Sequence, residues 1–376
     1  MIGLNAMMLF TGSGYRNAGV SRYTQEIVSR LVQTNHDYVL FLNGDAQELP
    51  FDIGSNCIVH RGFKGADNPW KRIAWEQTVL PVLARRSGLD ILHSFLNVSP
   101  ILDGTAQVLT VHDLSYVMVR EAHPLRRRMY LPVMSRLSIH RASRIFADSN
   151  ATRTDIADHY GTNPKKIDVV YPGVDKGMSP QPEHLIESFR SDKGLPNNFI
   201  LYLGTIERRK NVDILVRAFA QLRRTDRYKG HLVVAGGRGW DYDEVDRAVR
   251  EEGVESEVIF VGFVAESDKA MWYNAARVLV YPSSYEGFGL PVLEAMACGT
   301  PVVTSNVSSM PEVAGKAAVT VSPGNPCDLA DAIFSITDSP ERAQKMRSLG
   351  IEQSSRFSWD KAAEKCLLAY EGIIES

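Results

Sequence analysis

Short apolar runs alternate with helical patterns along most of the 376-residue chain. The apolar runs are rich in Val, Ile and Leu, which is typical of strands that are buried on both faces of a parallel sheet. The segments between them carry apolar residues three and four positions apart, which predicts amphipathic helices. This alternation predicts an α/β chain built from doubly wound parallel sheets.

The pattern changes between residues 172 and 196, where four prolines and three glycines interrupt it. We expect a domain boundary there, with one Rossmann-like domain over residues 1–175 and a second over residues 176–357. A last helix is predicted over residues 359–374. The elements before the boundary are strands at 2–10, 38–42, 57–60, 91–93, 108–112, 144–148 and 167–171, and helices at 20–32, 70–86, 125–141 and 152–160.

Composition excludes several classes of protein. Charge is balanced, with 42 basic and 44 acidic residues, so nothing indicates nucleic acid as a partner. The four cysteines are scattered without CxxC spacing, which argues against a metal site and for a reducing compartment. The apolar N-terminus lacks a basic segment and predicts a first strand, and no apolar run is long enough to span a membrane. We therefore expect a cytoplasmic protein.

Residues 281–304 carry the most informative pattern. A buried strand ends in a glycine-flanked loop with Glu286, and Pro291 opens an apolar helix that contains Glu294. Helix N-termini preceded by glycine bind phosphates, and two carboxylates nearby could hold hydroxyls, which together indicate a nucleotide sugar. An ordinary turn followed by an acidic first helical turn fits the spacing equally well.

A second candidate follows the strand predicted at 199–203. Arg208, Arg209 and Lys210 stand just before a helix, where a diphosphate would be the natural partner. The alternative is a solvated basic loop that pairs with Glu207 and Asp213.

Two polar segments follow strands of the first half. Residues 11–19 form a glycine-rich loop that could hold a phosphate, although it does not match G-x-G-x-x-G and could be a plain turn. His112 follows another strand and could contact a ligand, with Asp113 orienting its ring. An isolated His-Asp pair is more commonly a capped turn.

The helix predicted at 125–141 is strongly basic. It could approach phospholipid headgroups or a lipid diphosphate as a peripheral contact at the inner membrane face, or it could present a solvated face.

Together these segments resemble the family 4 glycosyltransferases of the GT-B fold, over nearly the whole chain. The motifs that carry the resemblance are the E-x7-E pattern from Glu286 to Glu294, LYLGTIERRKNVDILVRAF, AGVSRY, VHDLSY, RIFADSNATRTDI, KIDVVYPGVD and EVIFVGFVAESDKAMWYNAA. The resemblance implies that residues 1–175 bind the acceptor, that residues 176–357 bind the nucleotide sugar, and that the C-terminal helix (358–376) packs back on the first domain.

The resemblance also implies roles for residues of the second domain. Glu286 would hold hydroxyls of the donor hexose, Glu294 would bind the ribose, and Arg209 with Lys210 would neutralise the departing diphosphate. The family's usual Gly-Arg is Gly-Thr at 204–205 here, so the arginine role passes to Arg209 or Arg208. Backbone N–H groups that would meet the sugar and diphosphate belong to Gly287, Phe288, Gly289 and Leu290.

The remaining implied contacts complete the donor site. Gly14 and Gly19 would form part of the phosphate cradle, His112 would touch the sugar near its C6 hydroxyl, and Phe263 and Val264 would flank the base. The resemblance implies a retaining hexosyltransferase without metal or other cofactor, active in polysaccharide or glycolipid synthesis on a glycan or lipid-linked acceptor. GDP-mannose is the first choice of donor, followed by UDP-glucose or UDP-GlcNAc. The alternatives are a sugar-nucleotide epimerase on the same fold and a non-catalytic nucleotide-sugar-binding protein.

Overall fold

The computed structural model describes residues 1–10, 19–46, 48–65, 68–101, 104–122, 125–237, 239 and 242–375. By its contacts the chain divides into two compact units. The first comprises Met1–Arg120, Pro124–Gly173 and Ser358–Ser376, and the second comprises Glu121–His123 and Val174–Phe357. Each unit has its own parallel sheet with helices around it.

The strands within the described residues are short and, with few exceptions, buried. They are β1 (Ile2–Ala6), β2 (Tyr38–Leu42), β3 (Cys57–Arg61), β4 (Ile91–Ser94), β5 (Ala106–Val111), β6 (Arg144–Ala147), β7 (Ile167–Val169), β8 (Phe199–Leu203), β9 (His231–Ala235), β10 (Val258–Gly262), β11 (Val278–Tyr281), β12 (Val302–Ser305) and β13 (Val319–Val321).

The helices alternate with these strands. They are α1 (Val20–Leu31), α2 (Pro69–Thr78), α3 (Leu80–Arg86), α4 (Ser115–Met118), α5 (Leu125–Arg141), α6 (Asn150–Tyr160), α7 (Glu183–Asp192), α8 (Val212–Arg224), α9 (Tyr242–Glu252), α10 (Lys269–Ala275), α11 (Leu290–Ala297), α12 (Met310–Ala314), α13 (Pro326–Thr337), α14 (Pro340–Ser354) and α15 (Trp359–Ile374).

Both sheets are doubly wound. In the first unit the described strands run in the order β3-β2-β1-β4-β5-β6-β7, and in the second in the order β10-β9-β8-β11-β12-β13, with every pair parallel. The strand order reverses between β1 and β4 in the first unit and between β8 and β11 in the second. Ligands of doubly wound folds bind outside the carboxyl ends of the strands at such a switch point.

The last helix, α15, belongs to the first unit although it follows the second in sequence. The fully buried Tyr370 hydroxyl makes a 2.5 Å hydrogen bond with Nδ1 of His93 on β4, and Asp360 pairs with Nε of Arg30 on α1 at 2.6 Å. Burial lowers the pKa of His93 to about 3, so its ring stays neutral and can both donate and accept. These contacts fix α15 against β4 and α1.

The structure departs from the sequence-based elements at several points. The helix predicted at 70–86 is divided into α2 and α3 at Val79, because Pro81 has no N–H for the carbonyl of Gln77. β1 ends at Ala6 instead of residue 10, since Leu9 N–H turns back to donate to the Ala6 carbonyl at 2.9 Å. α7 lies inside the proline-containing stretch, where no helix was predicted.

Candidate active site

The side chains of Arg209, Lys210 and Glu286 meet at the switch point of the second unit. Arg209 and Lys210 lie in a short 3-10 turn (Arg208–Lys210) after β8, and Glu286 lies in the loop after β11. Asn211 ends the turn in the left-handed conformation, with φ 54°, and its Nδ2 donates to the Pro282 carbonyl at 2.8 Å. The turn after β8 is therefore tied directly to the loop that carries Glu286.

Three donors converge on one oxygen of Glu286. Lys210 Nζ pairs with Oε1, Arg209 Nη1 lies 3.0 Å from the same atom, and the Tyr281 hydroxyl donates to it at 3.2 Å. Lys210 also donates to the Tyr281 hydroxyl, and Arg209 Nε pairs with Glu207 Oε2 at 3.0 Å. Lys210 and Glu286 are buried, with 6% and 8% exposed. The cluster therefore combines two cations with a buried carboxylate.

Electrostatics keep this carboxylate ionised. Burial acts to raise the pKa of Glu286, but the positive charges of Arg209 and Lys210 outweigh it and lower the pKa to about 2. Burial lowers the pKa of Lys210, and the neighbouring Arg209 lowers it further, although Glu286 acts in the opposite direction. A second anion near Lys210 would relieve this unfavourable environment. The arrangement can accept a phosphate group.

Two serines that follow β12 hold the main chain of Glu286 through hydrogen bonds. The Glu286 amide donates to Ser308 Oγ at 3.2 Å, and the hydroxyls of Ser308 and Ser309 both donate to the Glu286 carbonyl. Ser309 also donates to the Phe288 carbonyl at 2.8 Å. Neither serine nor Tyr281 was assigned a role from the sequence. Tyr281 could have been recognised as a polar side chain at a strand's carboxyl end, whereas nothing local marks the serines.

The loop after Glu286 leads directly into α11. Gly289 precedes the helix at φ 106°, and a Cβ there would lie 2.2 Å from Cε of Met310. Glycine is therefore favoured on conformational grounds, and a side chain there would also displace the end of the flexible Met310 side chain. Gly287 and Phe288 are buried, and Phe288 packs edge-to-face on Phe357. With Leu290 as the first residue of α11, the helix N-terminus lies in the loop that carries Glu286.

Glu294 lies on α11 as the second carboxylate of the pattern. It is 5% exposed, the Tyr273 hydroxyl of α10 donates to its Oε2 at 2.6 Å, and Lys269 Nζ lies 3.6 Å from its Oε1. Burial and the adjacent carboxylate raise the pKa of Tyr273, so the phenol keeps its proton and acts as donor. Tyr273 and Lys269 were not predicted from the sequence to orient Glu294.

Phe263 and Val264 follow β10 on the same unit. Phe263 is half exposed and Val264 is buried. Arg208, the other candidate for the arginine role, is exposed, so the structure brings Arg209 and not Arg208 to Glu286.

In the first unit, His112 follows β5 with both ring nitrogens engaged. Nδ1 lies 2.8 Å from Asp148 Oδ2, and Nε2 lies 3.0 Å from the carbonyl oxygen of Phe95. The carbonyl can only accept, so Nε2 carries a hydrogen. Burial acts to lower the pKa of His112, but Asp148 and the Phe95 carbonyl raise it overall. Asp148 and the Phe95 carbonyl therefore fix the orientation of the ring.

The prediction that Asp113 orients His112 is wrong. Asp113 Oδ1 instead accepts from the Ser115 amide at 2.9 Å, beside the start of α4. Asp148 directly follows β6, the neighbour of β5 in the sheet, so both side chains stand at one edge. That adjacency could have identified Asp148, since parallel strands end at a common edge.

The structure describes only Gly19 of the glycine-rich loop at residues 11–19. Gly19 precedes α1 with φ 59°, and a Cβ there would meet nothing within 4 Å. Gly14 lies outside the described residues.

In the described ranges, no three His, Cys, Asp or Glu side chains are grouped so that they could hold a metal ion. No helix of the described chain is both long and apolar enough to cross a membrane.

Comparison with known proteins identifies the family. The family model "Glycosyltransferase Family 4" matches residues 17–177, and "Glycosyl transferases group 1" matches residues 185–353. The O-antigen chain mannosyltransferase B of Escherichia coli is 32% identical over 265 residues, which are 70% of this chain and 70% of that protein. The chain belongs to the family 4 glycosyltransferases. The resemblance inferred from its motifs is thereby confirmed.

Solved structures confirm the GT-B fold of this glycosyltransferase. Sucrose-phosphate synthase from Thermosynechococcus elongatus superposes with a TM-score of 0.78 at 20% identity, covering 100% of this chain and 99% of that one. Anabaena Alr3699/HepE in complex with UDP and glucose superposes with a TM-score of 0.74 at 19% identity and 99% coverage of both chains. At these identities the likeness establishes the architecture alone.

Proposed function

We propose that this glycosyltransferase moves a hexosyl group from a nucleoside diphosphate hexose, GDP-mannose in the first instance, to a hydroxyl of a glycan or lipid-linked acceptor. The proposal rests on one observation: Arg209 and Lys210 form ion pairs with Glu286 at the switch point between β8 and β11. Mannose is favoured because the E. coli relative is a mannosyltransferase. UDP-glucose and UDP-GlcNAc are the next candidates.

The cluster suits both parts of such a donor. The cations Arg209 and Lys210, with the N-terminus of α11, stabilise the negative charge that develops on the departing diphosphate. Glu286 accepts hydrogen bonds from hexose hydroxyls, and Glu294, oriented by Tyr273, does the same for the ribose. Because protein groups supply the positive charge, we propose that the reaction proceeds without a metal ion.

The proposed reaction retains the anomeric configuration. The bond between the anomeric carbon and the diphosphate oxygen breaks, and the acceptor oxygen bonds to the same face of that carbon. The proton of the acceptor hydroxyl passes to the departing phosphate oxygen, so the products are the glycoside and a nucleoside diphosphate. His112, whose ring is oriented by Asp148, would contact the hexose near its C6 hydroxyl by exchanging the Phe95 carbonyl for that hydroxyl as the partner of Nε2. Gly14, Gly19, Phe263 and Val264 are proposed to complete the contacts to phosphate and base.

A donor screen tests the proposal. The protein is mixed with GDP, UDP, GDP-mannose, UDP-glucose and UDP-GlcNAc, and ligand binding is measured as a rise in thermal midpoint. Nucleoside diphosphate release with acceptor is then followed in EDTA, and NMR of the product gives its anomeric configuration. Arg209→Met should lower the rate by roughly 100-fold or more. Arg208→Met is the matched control on an exposed neighbouring cation, and equal effects of the two changes would contradict the assignment.

We further propose that α5 places the enzyme on the cytoplasmic face of a membrane. Met129, Val133 and Leu137 are spaced by four residues and are 70%, 58% and 44% exposed. Arg136 and Arg141 are exposed on the same helix. An apolar stripe flanked by arginine side chains suits an anionic lipid surface, where the stripe enters the headgroup region and the cations bind phosphate.

Vesicle sedimentation tests this contact. We expect the protein to pellet with anionic phosphatidylglycerol vesicles and to remain free with phosphatidylcholine vesicles. Met129→Glu with Val133→Glu should abolish pelleting and leave donor binding intact. Pelleting that is unchanged in this double variant would rule out α5 as the contact.

A further inference from the structure

The hydroxyl of Tyr281, the last residue of β11, lies between the Lys210 ammonium and the Glu286 carboxylate. Lys210 Nζ donates to this hydroxyl, which in turn donates to Oε1 of Glu286 at 3.2 Å. An ammonium can only donate and an ionised carboxylate can only accept, so the direction of both hydrogen bonds is determined. Burial and the charge of Glu286 raise the pKa of Tyr281 well above its usual range, so the phenol keeps the proton that it donates.

The ring of Tyr281 is held by the strands on both sides of β11. It is 2% exposed and stacks on the fully buried ring of Tyr202 on β8, with centroids 5.9 Å apart and 12° between the planes. The Tyr202 hydroxyl donates in turn to the Thr205 carbonyl at 3.0 Å. Thr304 Oγ1 on β12 donates to the Tyr281 carbonyl at 2.8 Å. These contacts fix the position of the Tyr281 hydroxyl.

Lys210, in contrast, depends on its partners for its direction. Its ammonium stands on a flexible four-carbon stem and carries three N–H donors. In the described part of the chain, the hydrogen bonds of Lys210 Nζ go to Tyr281 and Glu286. Because the N–H bonds of an ammonium are tetrahedral, two that are held define the direction of the third. That third N–H is available to a ligand at the switch point.

The two partners of Lys210 differ in how a bound donor would affect them. Glu286 also pairs with Arg209, and it is proposed to accept hydrogen bonds from hexose hydroxyls. Its side chain is therefore shared among several groups once a donor is bound. The Tyr281 hydroxyl belongs to a buried, stacked ring and keeps its position, so it remains to hold the ammonium.

We propose that Tyr281 is a positioning residue of the donor site, and that its hydroxyl keeps the Lys210 ammonium directed at the diphosphate while Glu286 binds the hexose. The inference rests on the proposed function, because it needs a diphosphate at Lys210. The tyrosine acts through the lysine and is not itself a catalytic residue.

The same hydrogen bond affects the charge of Lys210. Burial lowers the pKa of Lys210, and the neighbouring Arg209 lowers it further, whereas the carboxylates of Glu286 and Glu207 raise it. A hydrogen bond that the ammonium donates favours the charged form. Removal of the Tyr281 hydroxyl leaves all of these charged groups in place and should therefore lower the pKa of Lys210 further. The ammonium, and with it the affinity for a diphosphate, is then lost at a lower pH.

Calorimetric titration of the full chain with GDP and with UDP, repeated from about pH 7 to about pH 10, tests the inference. Tyr281→Phe keeps the ring and its stacking on Tyr202 but removes the hydroxyl. At neutral pH we expect diphosphate affinity to fall about threefold to tenfold, as for the loss of one hydrogen bond. On the basic side we expect the affinity to decline at a lower pH than in wild type, because Lys210 loses its proton at a lower pH.

Tyr202→Phe is the matched control, since it removes the hydroxyl of the other stacked ring, which donates to Thr205 and not to Lys210. Its decline in affinity on the basic side should coincide with that of wild type. Fluorotyrosine in place of Tyr281 is a second variant, which keeps both the ring and the hydroxyl. Fluorine withdraws electron density from the oxygen and makes it a weaker acceptor, so the decline should move in the same direction by a smaller amount.

Three results would overturn the inference. The first is a diphosphate affinity of Tyr281→Phe at neutral pH that equals or exceeds that of wild type. The second is a decline on the basic side that does not move in Tyr281→Phe or in the fluorotyrosine variant, and the third is the same shift in Tyr202→Phe. Absence of GDP and UDP binding in wild type would contradict the proposed function instead.

Discussion

Replacement of Glu286 by glutamine separates its two roles, as acceptor for sugar hydroxyls and as counterion of the cations. In the structure Oε1 of Glu286 forms ion pairs with Lys210 and Arg209 and accepts a hydrogen bond from Tyr281. Glutamine keeps the shape of the side chain and one acceptor oxygen but removes the charge. We expect Glu286→Gln to lose transfer activity by roughly 100-fold or more, since removal of one such group commonly has this effect.

The contribution of the Glu286 carboxylate to the unfolding free energy follows from its pKa. A carboxyl with pKa about 2 in the folded chain and about 4.3 when unfolded contributes about 3 kcal/mol at neutral pH. Because the folded pKa is depressed, this contribution is present above about pH 4.3 and is lost as the pH falls through about 2. The difference in unfolding free energy between wild type and Glu286→Gln should therefore be constant from about pH 5 to pH 8 and shrink in acid.

The affinity for a nucleoside diphosphate should not fall in Glu286→Gln, in contrast to its transfer activity and its stability. Without its carboxylate partner, the buried Lys210 and the neighbouring Arg209 need an anion, and a diphosphate supplies one. We expect GDP or UDP to bind Glu286→Gln at least as tightly as wild type by calorimetry, with a gain of up to about tenfold. Glu207→Gln is the matched control, because Glu207 pairs with the same arginine at 3.0 Å but is more exposed. A tenfold loss of diphosphate affinity in Glu286→Gln alone would refute this reasoning.

Three further changes test neighbouring parts of the site. Tyr273→Phe removes the 2.6 Å hydrogen bond to Glu294, so the donor KM should rise about threefold to tenfold with little change in kcat. Asp148→Asn should lower the pKa of His112, so that a NMR titration of the ring finds deprotonation at lower pH than in wild type. Gly289→Ala places a Cβ where φ is 106°, so unfolding in urea should show a loss of stability of roughly 1–3 kcal/mol.

The architecture could be predicted from the sequence because burial on both faces makes the strands of a parallel sheet uniformly apolar. The runs in β2 and β8 contain no charged residue, and both strands are completely buried. The elements that the pattern missed are short or lie among prolines, as α7 and α12 do. α12 has too few residues to produce a periodicity, and α7 has only three apolar residues in a stretch that its flanking prolines and glycines mark as a linker.

From the sequence we could predict that Arg209, Lys210 and Glu286 would meet in one cluster, which we call the donor cluster because it is proposed to bind the sugar donor. The sequence did not indicate which residues would form hydrogen bonds with them. Arg209, Lys210 and Glu286 follow strands that adjoin in the sheet, so their proximity follows from the strand order. Their partners come from positions without a local signature. Ser308 and Ser309 are examples, because nothing local in the sequence indicates that they bind the main chain of Glu286.

The backbone contacts of Glu286 determine how the donor cluster can respond to a ligand. Its amide and carbonyl are bound by Ser308 and Ser309, whereas its side chain is bound by groups that follow β8 and β11. The ends of three adjacent strands therefore fix one residue, and a strand end is a rigid support compared with an isolated loop. We expect diphosphate binding to exchange the partners of Lys210 and Arg209 without moving the Glu286 main chain, so amide hydrogen exchange at Glu286 should change little while the lysine ammonium resonance shifts.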